Sequence, residues 1–311
     1  MRFFLGVPPQ AIRPAVVTIG NYDGVHLGHR AMLDALKRVA RSRGLPATVL
    51  TFEPHPREFF TPEQAPPRLT SLREKLALLR DEGIDHVYLY HFTRQASALE
   101  AGEFIETVLV KGLAVGHLIV GDDFRFGKGR RGDFALLVEY GARHGFTVES
   151  LPTINLDGVR VSSSAVREAL GACDLAGAAR LLGRPYAIAG RVVHGDKVGR
   201  QLGFPTANIQ LKRKRVPLSG VFAVTVSGVA ATPLPGVANI GVRPTLTAGL
   251  KPVLEVHLID FDRDIYRAHV DVHFLHKLRD EKKFESREAL KAQIAADVNA
   301  ARTFFAGKHH G

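Results

Sequence analysis

From Ala15 to Leu151 the chain alternates short apolar runs with stretches of helical period, and this alternation narrows the possible folds more than any other feature. Ala15-Val16-Val17-Thr18-Ile19 reads as a strand ending at Gly20. From Arg30 to Arg43, Met32, Leu33, Leu36, Val39 and Ala40 recur at helical spacing, and Gly44 follows as a stop. Thr48–Phe52, Val87–Tyr90, His117–Val120 and Thr147–Leu151 continue the strands, with helices expected at Ser71–Leu79, Glu103–Val110 and Phe134–His144. Ser71-Leu72-Arg73-Glu74 is a capping box, in which Ser and Glu satisfy each other's orphan N–H groups. Strand–helix alternation means parallel pairing with right-handed crossovers, so the expected fold is a Rossmann-like, doubly wound α/β sheet.

Two short helices, Ser163–Gly171 and Leu175–Gly183, lead to Arg184-Pro185, and there the pattern changes. Tyr186–Val193, Val221–Val226, Val237–Ile240, Val253–Ile259 and His269–Phe274 are strand-like and separated by Gly, Pro and Asp turns rather than helices. That is an antiparallel sheet or a small barrel. A terminal helix, Ser286 to Phe305, carries Leu290, Ile294 and Val298 on one face. Two domains are expected, 1–184 and 185–311, as suits a chain of 311 residues.

Composition excludes several classes. The single cysteine, Cys173, permits no intramolecular disulfide, thiolate zinc cage or CxxC pair. No run approaches the ~18 apolar residues of a membrane span, and Met1–Gln10 is too short before Pro8-Pro9 for a secretory signal. A cytoplasmic protein with no membrane partner is expected. The net charge is +11, from 42 Lys/Arg against 31 Asp/Glu. Most of the excess falls after residue 184, where 19 cations face 11 anions. Such a balance suits nucleic acid or phosphorylated small molecules. The one dense basic run, Lys212-Arg213-Lys214-Arg215, has no interleaved aromatics to stack bases, and residues 185–311 hold no Trp. It reads as a solvated loop, and no nucleic-acid partner is expected. The sequence sets no oligomeric state.

The run from the first strand into the first helix is Gly20-Asn21-Tyr22-Asp23-Gly24-Val25-His26-Leu27-Gly28-His29. In a parallel sheet the ligand crevice lies at the carboxyl ends of the strands, where helix N-termini offer free N–H groups and a positive dipole to phosphate. Gly24 and Gly28 let the backbone approach closely, and His26 and His29 face the same way. Between strand and helix, this HxGH run indicates a nucleotidyltransferase, in which an acceptor attacks the α-phosphorus of a nucleoside triphosphate and pyrophosphate leaves. Such chemistry needs a second cationic, hydroxyl-rich clamp. The Arg160–Arg167 run either supplies one, through Arg160, Ser163, Ser164 and Arg167, or simply caps a helix with its serines. Two loops, Thr51–Pro56 and Gly121–Gly127 with Asp123 and Arg125, mix aromatics with polar groups in a way that suits a flat heteroaromatic substrate.

In the second half, His194–Asn208 puts Gly195, Gly199 and Gly203 with Lys197 and Arg200 between strands, a loop able to wrap phosphates with backbone N–H groups. Thr206 and Asn208 offer oxygens of the kind Mg²⁺ accepts beside phosphate. Glu255 is a polar residue within an apolar strand, on one face with Val253 and His257. It is either a solvent-facing carboxylate or the base for an attacking hydroxyl.

Taken in order, these motifs resemble those of the bacterial bifunctional riboflavin kinase/FMN adenylyltransferase (FAD synthetase) family, from about Ala15 to Phe305. The first half carries GNYDGVHLGH, TFEPHP, GDDFRFG and RVSSSAVR. The second carries Gly199–Asn208, Asn239–Thr245, Glu255–Phe261 and Leu278–Phe284. The resemblance implies a nucleotidyltransferase-type first domain that transfers AMP from ATP to FMN, giving FAD and pyrophosphate. His26, His29, Ser163 and Arg167 fall on the family's ATP positions. Asn21, Asp23 and Gly28 lie in the same loop, and Asp123 and Arg160 fall on positions that place substrate. It also implies a riboflavin kinase barrel in which Thr206 and Asn208 hold Mg²⁺–ATP and Glu255 activates the riboflavin 5′-hydroxyl. Flavin is then substrate and product rather than redox cofactor. Ser164 stands where the family usually has Thr, Tyr22 where it has Phe, and Arg267 at a turn where Gly is common. A protein with one activity, its second domain merely binding flavin, stays open as an alternative. So does a basic nucleic-acid-binding barrel on a synthetase-like domain.

Overall fold

The computed structural model describes residues 1–11, 13–195, 198–245 and 249–308. The chain divides into two compact units, Met1–Pro66 with Leu72–Ser162, and Pro67–Ser71 with Ser163–Gly311.

In chain order the first unit contains β1 (Arg2–Leu5), β2 (Ala15–Ile19), α1 (Leu27–Arg43), β3 (Ala47–Glu53), α2 (Pro56–Phe60), α3 (Leu72–Asp81) and β4 (His86–His91). It continues with α4 (Arg94–Ala98), α5 (Ala101–Phe104), β5 (Val115–Gly121), α6 (Phe134–His144), β6 (Thr147–Leu151) and a small hairpin of β7 (Asn155–Leu156) and β8 (Val159–Arg160). The main sheet runs β1-β4-β3-β2-β5-β6, all parallel. Apolar clusters cover both faces. One gathers Leu33, Leu36 and Leu79 from α1 and α3, and the other Ile105, Leu109 and Leu137. The expected doubly wound sheet is present. The helix read as Glu103–Val110 is instead the short α5 followed by a π-helical turn, Ile105–Gly112. Strand β1 has no alternation to announce it. It stacks Phe4 on Tyr88 of β4 at a ring-centroid distance of 4.6 Å.

Strand order reverses at β2, which has β3 on one side and β5 on the other. Ligand crevices form at such a switch point. The Gly20–His26 loop leaves β2 there, and the Gly121–Gly127 loop leaves β5.

The second unit opens with α7 (Ser163–Gly171) and α8 (Leu175–Leu182), then β9 (Ala187–Val193), α9 (Val198–Gln201), β10 (Ala207–Gln210), β11 (Gly220–Ser227), β12 (Leu234–Thr245), β13 (Gly249–Leu258), β14 (His269–Arg279) and α10 (Arg287–Lys308). The strands close a barrel in the order β10-β13-β12-β11-β14-β9, every pair antiparallel. The barrel was one of two expectations, and β10, read as loop, is the strand that closes it. Its interior is filled by Ile188, Phe222, Val224, Leu254, Val256 and Phe274. On the outside, Val298 and Ala301 of α10 pack on Val221, Ala223 and Val237. Ser286 caps α10, its Oγ accepting from the Ala289 N–H at 3.1 Å.

The division into units falls between Ser162 and Ser163, whereas the boundary expected from the sequence lay at 184. The change of period at 184 marks where helices give way to barrel strands. The helix α8 nonetheless contacts β14 and therefore groups with the barrel.

One basic run behaves otherwise than expected. Arg213 is buried, and its Nη1 donates to the Leu69 carbonyl at 2.9 Å and to the Tyr186 hydroxyl at 3.1 Å. Lys212, Lys214 and Arg215 are exposed, as a solvated loop requires.

Candidate active sites

The first site is built on the turn between β2 and α1. Tyr22 and Val25 take φ values of 49° and 42°, and Gly24 has φ 88°. Side-chain-bearing residues in the left-handed region are held there only by their surroundings. Here Tyr22 is fully buried, its hydroxyl 2.8 Å from Thr18 Oγ1. That replacement of the family's Phe therefore adds a hydrogen bond inside the core. Burial pushes the Tyr22 phenol far above its ordinary value.

His26 is the N-cap of α1, its Nδ1 accepting from the His29 N–H at 3.3 Å. The two imidazoles stack with centroids 3.7 Å apart, and His29 lies 4.9 Å from the Tyr22 ring. A Cβ on Gly28 would come within 3.2 Å of the His26 ring, so a side chain there would push that ring by a few tenths of an ångström. Burial holds His29 well below the usual imidazole value, assisted by the nearby His26 and Lys75. His29 is therefore neutral near pH 7. Its Nδ1 and the Asn21 Oδ1 are buried with no hydrogen-bond partner among the described residues. Asp23 is buried in the same loop.

Lys75 is a residue the sequence reading missed. It lies on α3, is buried, and donates from Nζ to Thr51 Oγ1 at 3.3 Å; Thr51 in turn donates to the Asn21 carbonyl at 3.3 Å. A signal was available: Lys75 falls on the same helical stripe as Leu72 and Leu79.

Asp123 and Arg160 form an exposed ion pair at 2.5 Å, joining the β5 loop to the β7–β8 hairpin. Arg125 pairs with Asp133 at 3.0 Å, and Asp133 caps α6. Asp122 accepts from both the N–H and the hydroxyl of Thr153 at 2.9 Å, and these bonds lower its pKa. Ser163, Ser164 and Arg167 belong to α7 of the second unit, where Arg167 Nε donates to the Pro67 carbonyl at 2.7 Å.

The second site lies on the outer face of the barrel. Along β13, Leu254 and Val256 point inward and Glu255 is half-buried on the opposite face. Glu255 is in register with Asn208 of β10 on one side and with Asn239 of β12 on the other. All three line one cleft of about 1030 Å³, walled across from them by Phe284, Leu290 and Ile294. The alternation read from the sequence holds: Glu255 is half-buried and faces this cleft. A neighbouring cleft of about 870 Å³ is lined by Arg200, Phe261 and Tyr266, and Thr206 belongs to both.

Two glycines make this geometry possible. A Cβ at Gly195 would overlap the Asn208 carboxamide, and one at Gly199 would overlap the Phe204 carbonyl. Gly203 has φ 88°, the left-handed conformation that favours glycine. Asp196 and Lys197 of the same loop lie outside the described residues. Arg267 has φ 68° and donates its N–H to the Val192 carbonyl at 3.0 Å, so the turn keeps the conformation a glycine would favour.

Arg279 and Asp297 form the floor of the larger cleft. The Arg279 Nε–Asp297 Oδ1 distance is 2.9 Å and the Nη2–Oδ2 distance 2.8 Å, and Gln293 Nε2 donates to Oδ1 at 2.8 Å. No group of three His, Cys, Asp or Glu able to cage a metal occurs among the described residues. Thr206 Oγ1 and Asn208 Oδ1 are instead the kind of hard-oxygen pair that suits Mg²⁺ shared with phosphate.

A histidine-capped helix start at the switch point of a parallel sheet, joined to a closed barrel with an oxygen-lined cleft, defines the architecture of a two-part phosphate-group transferase. The family model described as FAD synthetase matches residues 9–165, and that described as riboflavin kinase matches 182–305. A bifunctional riboflavin kinase/FMN adenylyltransferase of Pseudomonas fluorescens is 54% identical over 298 residues, 96% of this chain and 95% of its own. Those of Escherichia coli K12 and Haemophilus influenzae are 54% and 48% identical, over 93% and 95% of this chain and 92% and 96% of their own. A crystal structure of a Streptococcus pneumoniae protein named as a macrolide-efflux protein superposes with a TM-score of 0.82 at 30% identity, covering 96% of this chain and 98% of its own. No described helix is long and apolar enough to cross a membrane. The chain belongs to the bifunctional riboflavin kinase/FMN adenylyltransferase family.

Proposed function

We propose that the barrel phosphorylates riboflavin with ATP to give FMN, and that the parallel-sheet unit transfers AMP from a second ATP to FMN, giving FAD and pyrophosphate. The observation that carries the kinase reading is the alignment of Glu255 with Asn208 beside Thr206, where two clefts meet. A nucleotide in the cleft of Arg200 and Tyr266 and a flavin in that of Phe284 and Leu290 would bring the terminal phosphoryl group and the 5′-hydroxyl together at this junction.

Glu255 accepts the proton of that hydroxyl as its oxygen bonds to the γ-phosphorus and the bond to the departing ADP breaks. General-base help of this kind contributes roughly 10²–10⁴-fold. Thr206 and Asn208 would hold Mg²⁺, which when bound neutralises phosphate charge. Alignment between the two clefts does the rest.

For adenylyl transfer the FMN phosphate is itself the nucleophile, so no protein base is required. The α1 N-terminus and His26 orient the triphosphate. His29, neutral at rest, presents a ring nitrogen to phosphate, and the buried Lys75 ammonium adds positive charge behind it. The domain boundary at 184 is retained as the junction between the two activities, consistent with matches ending at 165 and beginning at 182.

The test is one coupled assay following riboflavin to FMN to FAD with ATP and Mg²⁺. Glu255→Ala should lose at least a hundredfold in FMN formation yet still convert supplied FMN to FAD. His29→Ala should do the reverse. Equal loss of both steps in a folded variant would sink the assignment of two independent sites.

A further inference from the structure

Beside the proposed base lies a residue that no part of this mechanism uses. Asn239 sits on β12, directly opposite Glu255 of β13, so the row across the barrel reads Asn208, Glu255, Asn239. Residues facing each other across antiparallel strands have Cβ atoms about 5 Å apart. Their neighbours on the same outer face, Val221 and Val237, are buried under α10. Asn239 thus interrupts an otherwise apolar surface and lines the cleft. Its Oδ1 is shut off from solvent and accepts no hydrogen bond from any described residue. Leaving such an acceptor unpaired costs about 1–3 kcal/mol, and native proteins seldom do so without cause.

What pairs with Oδ1 must be a donor. The triphosphate of ATP offers only acceptors, which points away from the nucleotide's phosphates. Flavin offers donors at two places, the hydroxyls of the ribityl chain and the ring N–H. Because Asn239 adjoins the residue that acts on the end of the chain, the ring N–H lies too far along the molecule to reach it.

On the kinase reading above, we infer that Asn239 binds the polyol chain of the flavin substrate, its Oδ1 accepting a hydrogen bond from a ribityl hydroxyl next to the one phosphorylated. It fixes the chain so that the terminal hydroxyl meets Glu255. The role is one of positioning and of selecting a hydroxylated chain, with no proton moved.

The experiment compares Asn239→Ala with wild type in the presence of Mg²⁺ and ATP. It measures the KM for riboflavin and the inhibition constant of lumiflavin, which has the ring but no polyol. One neutral hydrogen bond predicts a roughly 3- to 10-fold rise in riboflavin KM. Lumiflavin inhibition, the Mg²⁺ requirement and the pH profile of kcat/KM should stay in place, and Asn239→Thr, which keeps an acceptor oxygen, should recover part of the loss. A circular dichroism melt matching that of wild type serves as the folding control for the barrel. An unchanged riboflavin KM, equal weakening of riboflavin and lumiflavin, or a shift in Mg²⁺ requirement would each overturn the inference. Failure of the kinase reading is distinguishable, because then wild type forms no FMN or Glu255→Ala forms it undiminished.

Discussion

Replacing Asp297 by Ala removes a carboxylate that is 5% exposed and that meets Arg279 through two nitrogens. Taking away one member of a buried ion pair costs about 3–5 kcal/mol, mostly because the remaining charge is stranded. The Arg279 side chain keeps 20% of its surface, and its Nη1 still donates to the Asp280 carbonyl at 2.8 Å. Water and that carbonyl recover part of the loss, so about 2–4 kcal/mol is expected. For a unit of this size the shift in Tm is roughly 5–15 °C. Circular dichroism melts and urea titrations measure it, with FMN-to-FAD conversion as the check that the sheet unit survives. The double variant Asp297→Leu with Arg279→Met strands no charge and should regain at least half of the loss. A cost below about 1 kcal/mol for Asp297→Ala, or a double variant as unstable as its two single changes added together, would refute the reasoning.

Two further outcomes follow from buried polar groups. The folded His29 disfavours its proton, while the unfolded chain takes one up near the ordinary imidazole value of 6.5. The stability it contributes is therefore present above that pH and is lost as pH falls toward the folded value, by at most about 1.4 kcal/mol per pH unit. Urea unfolding between pH 7.5 and 5.5 should show a shallower loss in His29→Gln than in wild type, and equal slopes would contradict it. Within the basic run, Arg213→Ala should destabilise by about 2–3 kcal/mol, because the Leu69 carbonyl and the Tyr186 hydroxyl lose a charged donor. Lys212→Ala and Lys214→Ala should each stay within about 0.5 kcal/mol on the same titration.

How far the sequence reaches depends on whether local pattern or distant contact decides a feature. Parallel strands buried on both faces announce themselves as apolar runs, so β2, β3 and β5 were legible, and so was the switch-point loop between β2 and α1. The outer-face position of Glu255 came from simple alternation. Strand β1 was not legible, since Arg-Phe-Phe-Leu has no period and gains its meaning only by pairing with β4. Strand β10 was hidden for a different reason: its residues, Ala207–Gln210, follow a glycine-rich loop whose chemistry dominated the reading. Lys75 and Asn239 share the cue that exposed Glu255, a polar residue on an apolar stripe, and were passed over because each lies among stronger motifs. Arg213 could not be foreseen at all, because its partners at Leu69 and Tyr186 are remote in sequence.

Strand β10 deserves a last consequence. It is four residues long, it pairs with β9 on one side and β13 on the other, and it carries Asn208, with Thr206 just ahead of it. The hem that keeps the cylinder from gaping is thus also the hem that would grip metal and nucleotide. Cargo bound there would act as a stitch across the short strand that joins β9 to β13.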